Sequence, residues 1–180
     1  MTGILSKKEI IQQVEIVSKE LTGFCSGINE VVFFRQPTSK WSIAQNLTHL
    51  ITSANMTGLA YRLPRFIVRI YGGKPNRSSR TYDELIAKYK LKLEQGGRAS
   101  GRFIPKLISQ QEGKEKMIST FSAAMLRLNS DIEKKWKDPQ LDQYIAPHPL
   151  LGKITLRELC YFTIYHTKHH LNIIKERLRD

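Results

Sequence analysis

Two histidines in the C-terminal part of the sequence have the spacing of a helical metal-ligand pair. His166 and His170 stand four residues apart, so on a helix they project from one face, one turn apart. At 100° per residue, Leu156, Leu159 and Thr163 fall within roughly 80° of His166, so the pair points into the protein. Such a pair can give a zinc-type ion two nitrogen ligands, or it can form hydrogen bonds within a core. The spacing alone leaves both interpretations open.

The other three histidines give weaker signals. The apolar face of the helix expected around His49 is centred about 130° from its side chain, which predicts either an exposed position or the polar lining of a wet cavity. His169 points roughly 60° away from the face of His166, which favours a place behind the ligands or on the surface. His148 precedes Pro149 in a loop, and we expect it to anchor that loop rather than to lie at the rim of a cleft.

Four long helices are predicted to position these side chains. Patterns typical of helix starts, a Ser or Thr three residues before a Glu or Gln, occur at Ser6, Ser42 and Thr155 for three of these helices, and at Thr81 for a shorter helix. A further long helix is predicted from about Glu112 to Trp136, before Asp138-Pro139. Val31–Phe34 is the one β-like stretch, and it could equally be a frayed helix end. We therefore predict an all-α fold, a four-helix bundle.

A long connection is expected between the second and third bundle helices. It covers about residues 60–111 and contains Gly72-Gly73-Lys74-Pro75 and Gly96-Gly97. A structureless loop of this length is uncommon in a compact domain, so one or two short helices are expected within it. Such a crossover allows neighbouring helices to run parallel, in an up-down-down-up order. The chain is predicted to be a single domain over residues 1–180.

The charge of the chain suggests a competing class of function. Lys and Arg number 29 against 16 Asp and Glu, a formal net charge of +13. Residues 60–106 hold twelve of the positive and three of the negative charges, a net +9. Arg62, Arg65 and Arg69 stand there at helical spacing, as candidates for binding an anion or nucleic acid, or as a solvated surface. A nucleic-acid-binding or stress-related bundle without catalysis is therefore the alternative hypothesis.

Composition excludes several other classes. Hydrophobic residues make up 41% of the chain, too many for a disordered protein. No apolar run approaches the roughly 20 residues of a membrane span, and the N-terminal residues lack the apolar stretch of a secretory signal. The two cysteines, Cys25 and Cys160, make a disulfide framework unexpected, and neither has a nearby base that would activate it. We expect a cytoplasmic protein with no membrane segment.

Two blocks of the sequence resemble the DinB-like superfamily. Residues 41–50 read WSIAQNLTHL and are similar to the second-helix signature of that family. Residues 148–159 read HPLLGKITLREL and are similar to its approach to the last helix, which continues as FTIYHTKHHL over residues 162–171. The resemblance rests on two motifs in this order, one histidine in the second helix and then H-x-x-x-H in the last helix.

The resemblance implies a divalent metal held by three histidines in a helical bundle. Carried onto this sequence, the ligands are His49, His166 and His170, with zinc or nickel as the expected ion. Three protein nitrogens leave a coordination position open for water or substrate, as in a catalytic site. The residues expected to line the cleft or to support the ligands are Gln45, Asn46, Ser53, Thr163 and His169.

The resemblance also implies a class of reaction. Some members of the superfamily are thiol transferases that use bacillithiol or mycothiol, and others are DNA-damage-inducible proteins without an assigned reaction. The expectation for this chain is a metal-dependent transferase or hydrolase that acts on a small molecule, with a low-molecular-weight thiol as the candidate cosubstrate. A homodimer is expected from the family.

Overall fold

A computed structural model describes residues 3–178, and within them the chain is mostly helical, as predicted. Met1, Thr2, Arg179 and Asp180, at the ends of the predicted domain, lie outside the described residues. The α-helices are α1 (Lys7–Ser26), α2 (Glu30–Phe34), α3 (Ile43–Arg62), α4 (Arg65–Gly72), α5 (Tyr82–Glu94), α6 (Lys114–Lys135), α7 (Gln140–Gln143) and α8 (Leu156–Arg177). None of these helices is long and apolar enough to cross a membrane.

The four long helices α1, α3, α6 and α8 form the bundle. Each packs against two neighbours, so that α1 and α3 each lie between α6 and α8. The helix α3 is antiparallel to α8, because Asn46 meets His170 while Tyr61 meets Leu156. Contacts at opposite ends likewise make α1 antiparallel to α6: the Lys7 ammonium donates to the carbonyl of Trp136, beside the end of α6, and the Lys114 ammonium to that of Ser26.

The remaining directions follow from contacts between α1 and α8. The Tyr161 hydroxyl, early in α8, accepts from the backbone N–H of Leu5, while Lys175 pairs with Glu20 near the other end. These two helices are therefore parallel, which makes α3 and α6 parallel as well. The up-down-down-up arrangement is confirmed.

Local capping chemistry defines where most bundle helices begin. Reciprocal side-chain to backbone hydrogen bonds form at Ser6, Ser42, Thr81 and Thr155, the four starts that the sequence predicts. The helix α6 begins at Lys114, two residues after the predicted start, and its cap Gly113 has no side chain to form such a bond. The side-chain caps therefore fix the register of the helices that carry the histidines.

A small β-hairpin precedes α8, where the sequence analysis predicted none. Strand β1 (Ile145–His148) pairs antiparallel with β2 (Gly152–Thr155), with Ile145 opposite Thr155 and His148 opposite Gly152. The β-like segment 31–34 is instead part of helix α2. The hairpin runs directly into α8, since Thr155 is both the last residue of β2 and the cap of that helix.

The crossover joins the parallel helices α3 and α6. It contains α4, α5 and two short 3₁₀ turns, at Gly101–Phe103 and Gln110–Glu112. Helix α5 packs on α8, and the first turn packs on α3. The Gln45 amide donates to the carbonyl of Lys106, which ties the crossover to the start of α3. This end of the bundle is where the histidines lie.

Candidate metal centre

Three histidine side chains from two bundle helices meet in one cluster. His49 lies on α3, and His166 and His170 lie on consecutive turns of α8. Nε2 of His166 is 3.0 Å from Nε2 of His49 and 3.1 Å from Nε2 of His170. One nitrogen from each ring lies within 4.8 Å of the other two. The antiparallel packing of α3 on α8 thus brings His49 to a pair more than a hundred residues away.

In His49 and His170, the ring nitrogen that points away from the cluster, Nδ1, faces an oxygen acceptor. Nδ1 of His49 is 2.7 Å from the Phe103 carbonyl oxygen, and Nδ1 of His170 is 2.8 Å from Oδ1 of Asn46. Because these oxygens only accept, each Nδ1 carries the proton and each Nε2 presents a lone pair. The Asn46 amide is itself oriented, since its Nδ2 donates to the Ser42 carbonyl at 2.9 Å.

The ring of His166 cannot donate a hydrogen bond to the Nε2 lone pairs of both His49 and His170. A neutral His166 carries at most one proton on Nε2, which can bond to His49 or to His170. A cation between the three Nε2 atoms satisfies all of them. Two nitrogens each about 2.0–2.1 Å from a tetrahedral zinc ion are roughly 3.3–3.4 Å apart, a few tenths of an ångström more than the 3.0 and 3.1 Å observed. The donor set therefore fits a divalent ion.

Burial keeps the three imidazoles neutral. His49, His166 and His170 are 7%, 4% and 5% exposed. Burial lowers the pKa of His49, and the hydrogen bond to Phe103 offsets part of this effect. Burial, followed by repulsion from neighbouring histidines, holds the pKa of His166 and His170 well below the ordinary value of 6.5. Neutral imidazole is the form that binds a metal, so near pH 7 the three rings are in the protonation state that can coordinate an ion.

Aromatic side chains enclose the cluster. The Phe162 ring stacks on His166 with a centroid separation of 4.7 Å. The Trp41 ring lies 5.1 Å from that of His49 and stacks on His170 at 6.3 Å. The structure thus places Trp41 against two of the three histidines. An apolar enclosure of this kind limits water and lowers the local dielectric around a bound ion.

Two of the residues expected to line the cleft contact the cluster. Asn46 holds His170, as described above, and the Ser53 hydroxyl lies 3.4 Å from Nδ1 of His166. Gln45 belongs instead to the cap of α3 and to the contact with Lys106. All three side chains are buried, although the hydrophobic periodicity of α3 places their face toward solvent.

The other two expected supporting residues lie on α8 outside the cluster's hydrogen bonds. The Thr163 hydroxyl donates to the Leu159 carbonyl in its own helix, at 3.0 Å. His169 is half-buried, and its ring stacks on Tyr165 at 6.0 Å and lies 5.4 Å from the ring of His170.

His148 lies in the hairpin, next to Phe162, one of the aromatic residues that enclose the cluster. Its Nδ1 accepts hydrogen bonds from the backbone N–H groups of Leu150 and Leu151, at 3.2 and 3.1 Å. Its ring packs on Phe162 with a centroid separation of 4.2 Å. Burial lowers the pKa of His148 to about 4. His148 therefore connects the hairpin to the ring that stacks on His166.

The three candidate anion-binding arginines lie at the opposite end of α3 from His49. The Arg62 side chain donates to Asp131, at 3.2 Å. Arg65 donates to the carbonyl of Lys135, at 2.6 Å. The guanidinium of Arg69 lies 4.4 Å from the centre of the Tyr144 ring. The structure therefore does not bring these arginines to the histidine cluster.

The carbonyl of Phe103 contacts the cluster directly and was not predicted from the sequence. This residue lies 54 positions from His49, in the first 3₁₀ turn of the crossover. A backbone acceptor has no side-chain signature, and the contact depends on how the crossover folds back over α3. No local pattern could have identified it.

A family model of the DinB superfamily matches residues 13–174, a span that includes all three clustered histidines and the whole crossover. Comparison with curated proteins gave no match. The family match agrees with the resemblance found in residues 41–50 and 148–171. Because it covers most of the sequence, the chain belongs to the DinB superfamily.

Proposed function

We propose that this protein is a metal-dependent enzyme in which His49, His166 and His170 hold a zinc or nickel ion. The observation that carries the proposal is the convergence of the three Nε2 atoms. In His49 and His170, an oxygen acceptor holds the Nδ1 proton on the side of the ring away from the cluster. Three protein ligands leave a coordination position for water or a substrate atom, as in catalytic zinc sites.

The reaction that we propose joins a low-molecular-weight thiol, of the bacillithiol or mycothiol kind, to a small electrophilic molecule. The support is the resemblance of residues 41–50 and 162–171 to the DinB-like superfamily, some of whose members are thiol transferases, together with a buried set of neutral nitrogen donors. A bound divalent ion lowers the pKa of a thiol and holds it as the nucleophilic thiolate.

The residues of the chain prepare the site for this chemistry. The Phe103 carbonyl and the Asn46 amide fix the ring orientation and the tautomer of His49 and His170. The rings of Trp41 and Phe162 limit the access of water. Exclusion of water strengthens electrostatic interactions in the site and protects a thiolate from protonation.

Metal analysis of purified protein tests the ligand set. We expect about one zinc or nickel ion per chain after loading and desalting, and less than about a tenth of that in His170→Ala and in His49→Ala. His169→Ala is the matched control, because it removes a neighbouring imidazole of α8 that makes no hydrogen bond to the cluster, and it should retain the ion. Absence of an ion from the loaded wild type, or full occupancy in His170→Ala, would contradict the proposed site.

A conjugation assay tests the reaction separately. The metal-loaded protein is mixed with bacillithiol or mycothiol and monochlorobimane. The thiol sulfur forms a bond to carbon, chloride leaves, and the thiol proton passes to the buffer. We expect conjugation above the background rate with the wild type and His169→Ala, and background rates with His170→Ala or after chelation. A metal-loaded protein inactive with both thiols would contradict the thiol reaction while leaving the metal site in place.

The proposal includes a homodimer in the cytoplasm. The two buried cysteines, Cys25 and Cys160, are free thiols, which suits a reducing compartment. Phe66, Ile70 and Tyr71 on α4 are 64%, 71% and 73% exposed, and a second copy would cover such an apolar face. Light scattering should give twice the mass of one chain, and a monomeric mass at micromolar concentration would contradict the dimer.

A further inference from the structure

A cavity of about 410 Å³ lies between the crossover and the β-hairpin. The segment 72–77, GGKPNR, forms one wall, and Ile145, Lys153 and Thr155 form the other. This volume is typical of small-molecule sites, which measure about 300–1,000 Å³. Thr155 caps α8 and His166 follows eleven residues later, so about 16 Å of helix separate the cavity from the histidine cluster.

Two glycines set the shape of the cavity wall. A Cβ added to Gly72 would overlap the carbonyl oxygen of Ile145, so only glycine allows the end of α4 to approach β1 this closely. Gly73 has a φ of 89°, a left-handed conformation that turns the chain out of α4 into Lys74 and Pro75. The position of Lys74 opposite the hairpin is therefore determined by the backbone.

The charges that line the cavity are positive. Lys74, Arg77 and Lys153 are among the lining residues, and no Asp or Glu of the described chain is. The Arg77 guanidinium already donates two hydrogen bonds to the Glu158 carboxylate, at 2.8 and 2.9 Å. By contrast, the ammonium groups of Lys74 and Lys153 form no hydrogen bond or ion pair with any of residues 3–178.

Two carboxylates linked by hydrogen bonds to the cavity lining, one to Arg77 and one through Ser79 to Thr155, are occupied by other cations. Glu158 forms ion pairs with both Arg77 and Arg80, so its single negative charge neutralises only one of these two positive charges. Asp142 pairs with the guanidinium of Arg157. The charges of the two lysines are therefore left without compensation from the protein, which creates a positive potential at the cavity.

We propose that this cavity binds the phosphate group of a small phosphorylated molecule. Lysine binds phosphate as a point charge, and Lys74 and Lys153 are available from opposite walls. The cavity is larger than a phosphate group requires, and Pro75 and Ile145 provide apolar surface for the organic part of the ligand. The site does not depend on the metal centre, which lies further along α8.

Titration with phenyl phosphate at constant ionic strength tests the site, because this probe combines a phosphate with an apolar ring. Calorimetry should give saturable binding of one molecule per chain to the metal-free wild type. In the double variant Lys74→Gln with Lys153→Gln, we expect the dissociation constant to rise at least about tenfold, because two charge-assisted contacts are lost. Phenol, which lacks the phosphate, should not bind.

The matched control is Lys8→Gln with Lys134→Gln, which removes the same charge from exposed lysines of α1 and α6. It should change the dissociation constant less than about twofold. Equal weakening by both double variants would overturn the proposal in favour of general electrostatic attraction.

Vesicles with and without phosphatidic acid distinguish a lipid headgroup from a free phosphate compound. If phenyl phosphate fails to bind but the wild type binds the anionic vesicles through Lys74 and Lys153, the phosphate comes from a lipid and the phosphate site stands. Absence of binding to both probes would overturn it. Metal content should be unchanged in the cavity variant, so the two proposals fail independently.

Discussion

Helix α8 carries a polar cluster toward each of its ends, and the polar groups of the two clusters are paired to different extents. At one end, Glu158 and Arg157 are 0% and 2% exposed, and oppositely charged partners surround both. At the other end, His49, His166 and His170 are almost as buried, yet their Nε2 atoms face one another. Burial is similar, but only the second cluster holds more Nε2 lone pairs than its own protons can satisfy.

The ion-paired end is a closed network. The Glu158 carboxylate accepts from both Arg77 and Arg80 and from the backbone N–H groups of Arg80 and Thr155. Arg157 donates to Asp142 at 2.7 and 2.8 Å. Groups that satisfy each other in this way specify how the hairpin, the crossover and α8 fit together. A buried polar cluster therefore indicates a ligand when its hydrogen bonds are directed away from its centre.

The largest expected effect comes from opening the closed network. Glu158→Ala leaves Arg77 and Arg80 without their shared partner and removes the carboxylate half of the capping box of α8, so the free energy of unfolding should fall by about 3–5 kcal/mol. Urea denaturation measures this loss. Glu176→Ala, an exposed change on the same helix, should stay within about 0.5 kcal/mol. A loss below about 1 kcal/mol for Glu158→Ala would show that the network is not a stabilising unit.

The next effect distinguishes the two ends by their response to metal. Zinc at a hundred times its dissociation constant should raise the free energy of unfolding of the wild type by about 2.7 kcal/mol. The increase should vanish in His170→Ala and should persist in Glu158→Gln, the milder change at the closed end. Thermal denaturation with and without zinc provides the measurement. A similar zinc effect in wild type and His170→Ala would contradict the distinction.

A smaller effect is expected from the residue that orients a ligand. Asn46→Ala removes the acceptor for Nδ1 of His170, so zinc affinity should fall roughly 10–100-fold. Asn46→Asp keeps an oxygen acceptor at this position and should recover most of the affinity. Competition with a chromogenic chelator measures both variants. If the aspartate variant binds zinc no better than the alanine variant, Asn46 does not act through this hydrogen bond.

Acidification should affect the two ends in different pH ranges. Burial lowers the pKa of the clustered histidines below 6.5, so the unfolded chain takes up protons that the folded chain does not. Stability is therefore full above about pH 6.5 and falls as the pH drops, by about 0.7 kcal/mol per neutral histidine between pH 7 and 6. Burial alone would raise the pKa of Glu158, but hydrogen bonds from Arg77, Arg80 and Thr155 outweigh it and lower the pKa below 4.5.

The carboxylate contribution is thus lost only as the pH falls from about 4.5 through the lowered pKa of Glu158. Urea denaturation of chelator-treated protein between about pH 8 and about pH 3 separates the two ranges. A stability that stays constant from pH 8 to 5 would be inconsistent with neutral, buried histidines.

Local sequence chemistry predicted most of the fold. The capping side chains of Ser6, Ser42, Thr81 and Thr155 gave four correct helix starts, whereas α6, which lacks such a side chain, was misplaced by two residues. The hairpin at 145–155 escaped prediction because its strands are four residues long and one contains a proline. Its pairing depends on the register between segments rather than on a run of β-forming residues.

The candidate site was only partly readable from the sequence. The i, i+4 spacing placed His166 and His170 toward the interior, and both are buried. Periodicity alone failed for His49, because the polar face of α3 is covered by the crossover through Phe103 and Lys106. Trp41 and the Phe103 carbonyl come to the cluster through tertiary packing, which leaves no mark in hydrophobic periodicity.

Anomalous diffraction at the absorption edge of the loaded metal tests the central claim most directly. We predict one strong peak per chain within about 2.0–2.2 Å of Nε2 of His49, His166 and His170, and no such peak in crystals of His170→Ala. A metal-loaded crystal with no peak between the three rings, or with its main peak elsewhere on the chain, would contradict the assignment of this cluster as a metal site.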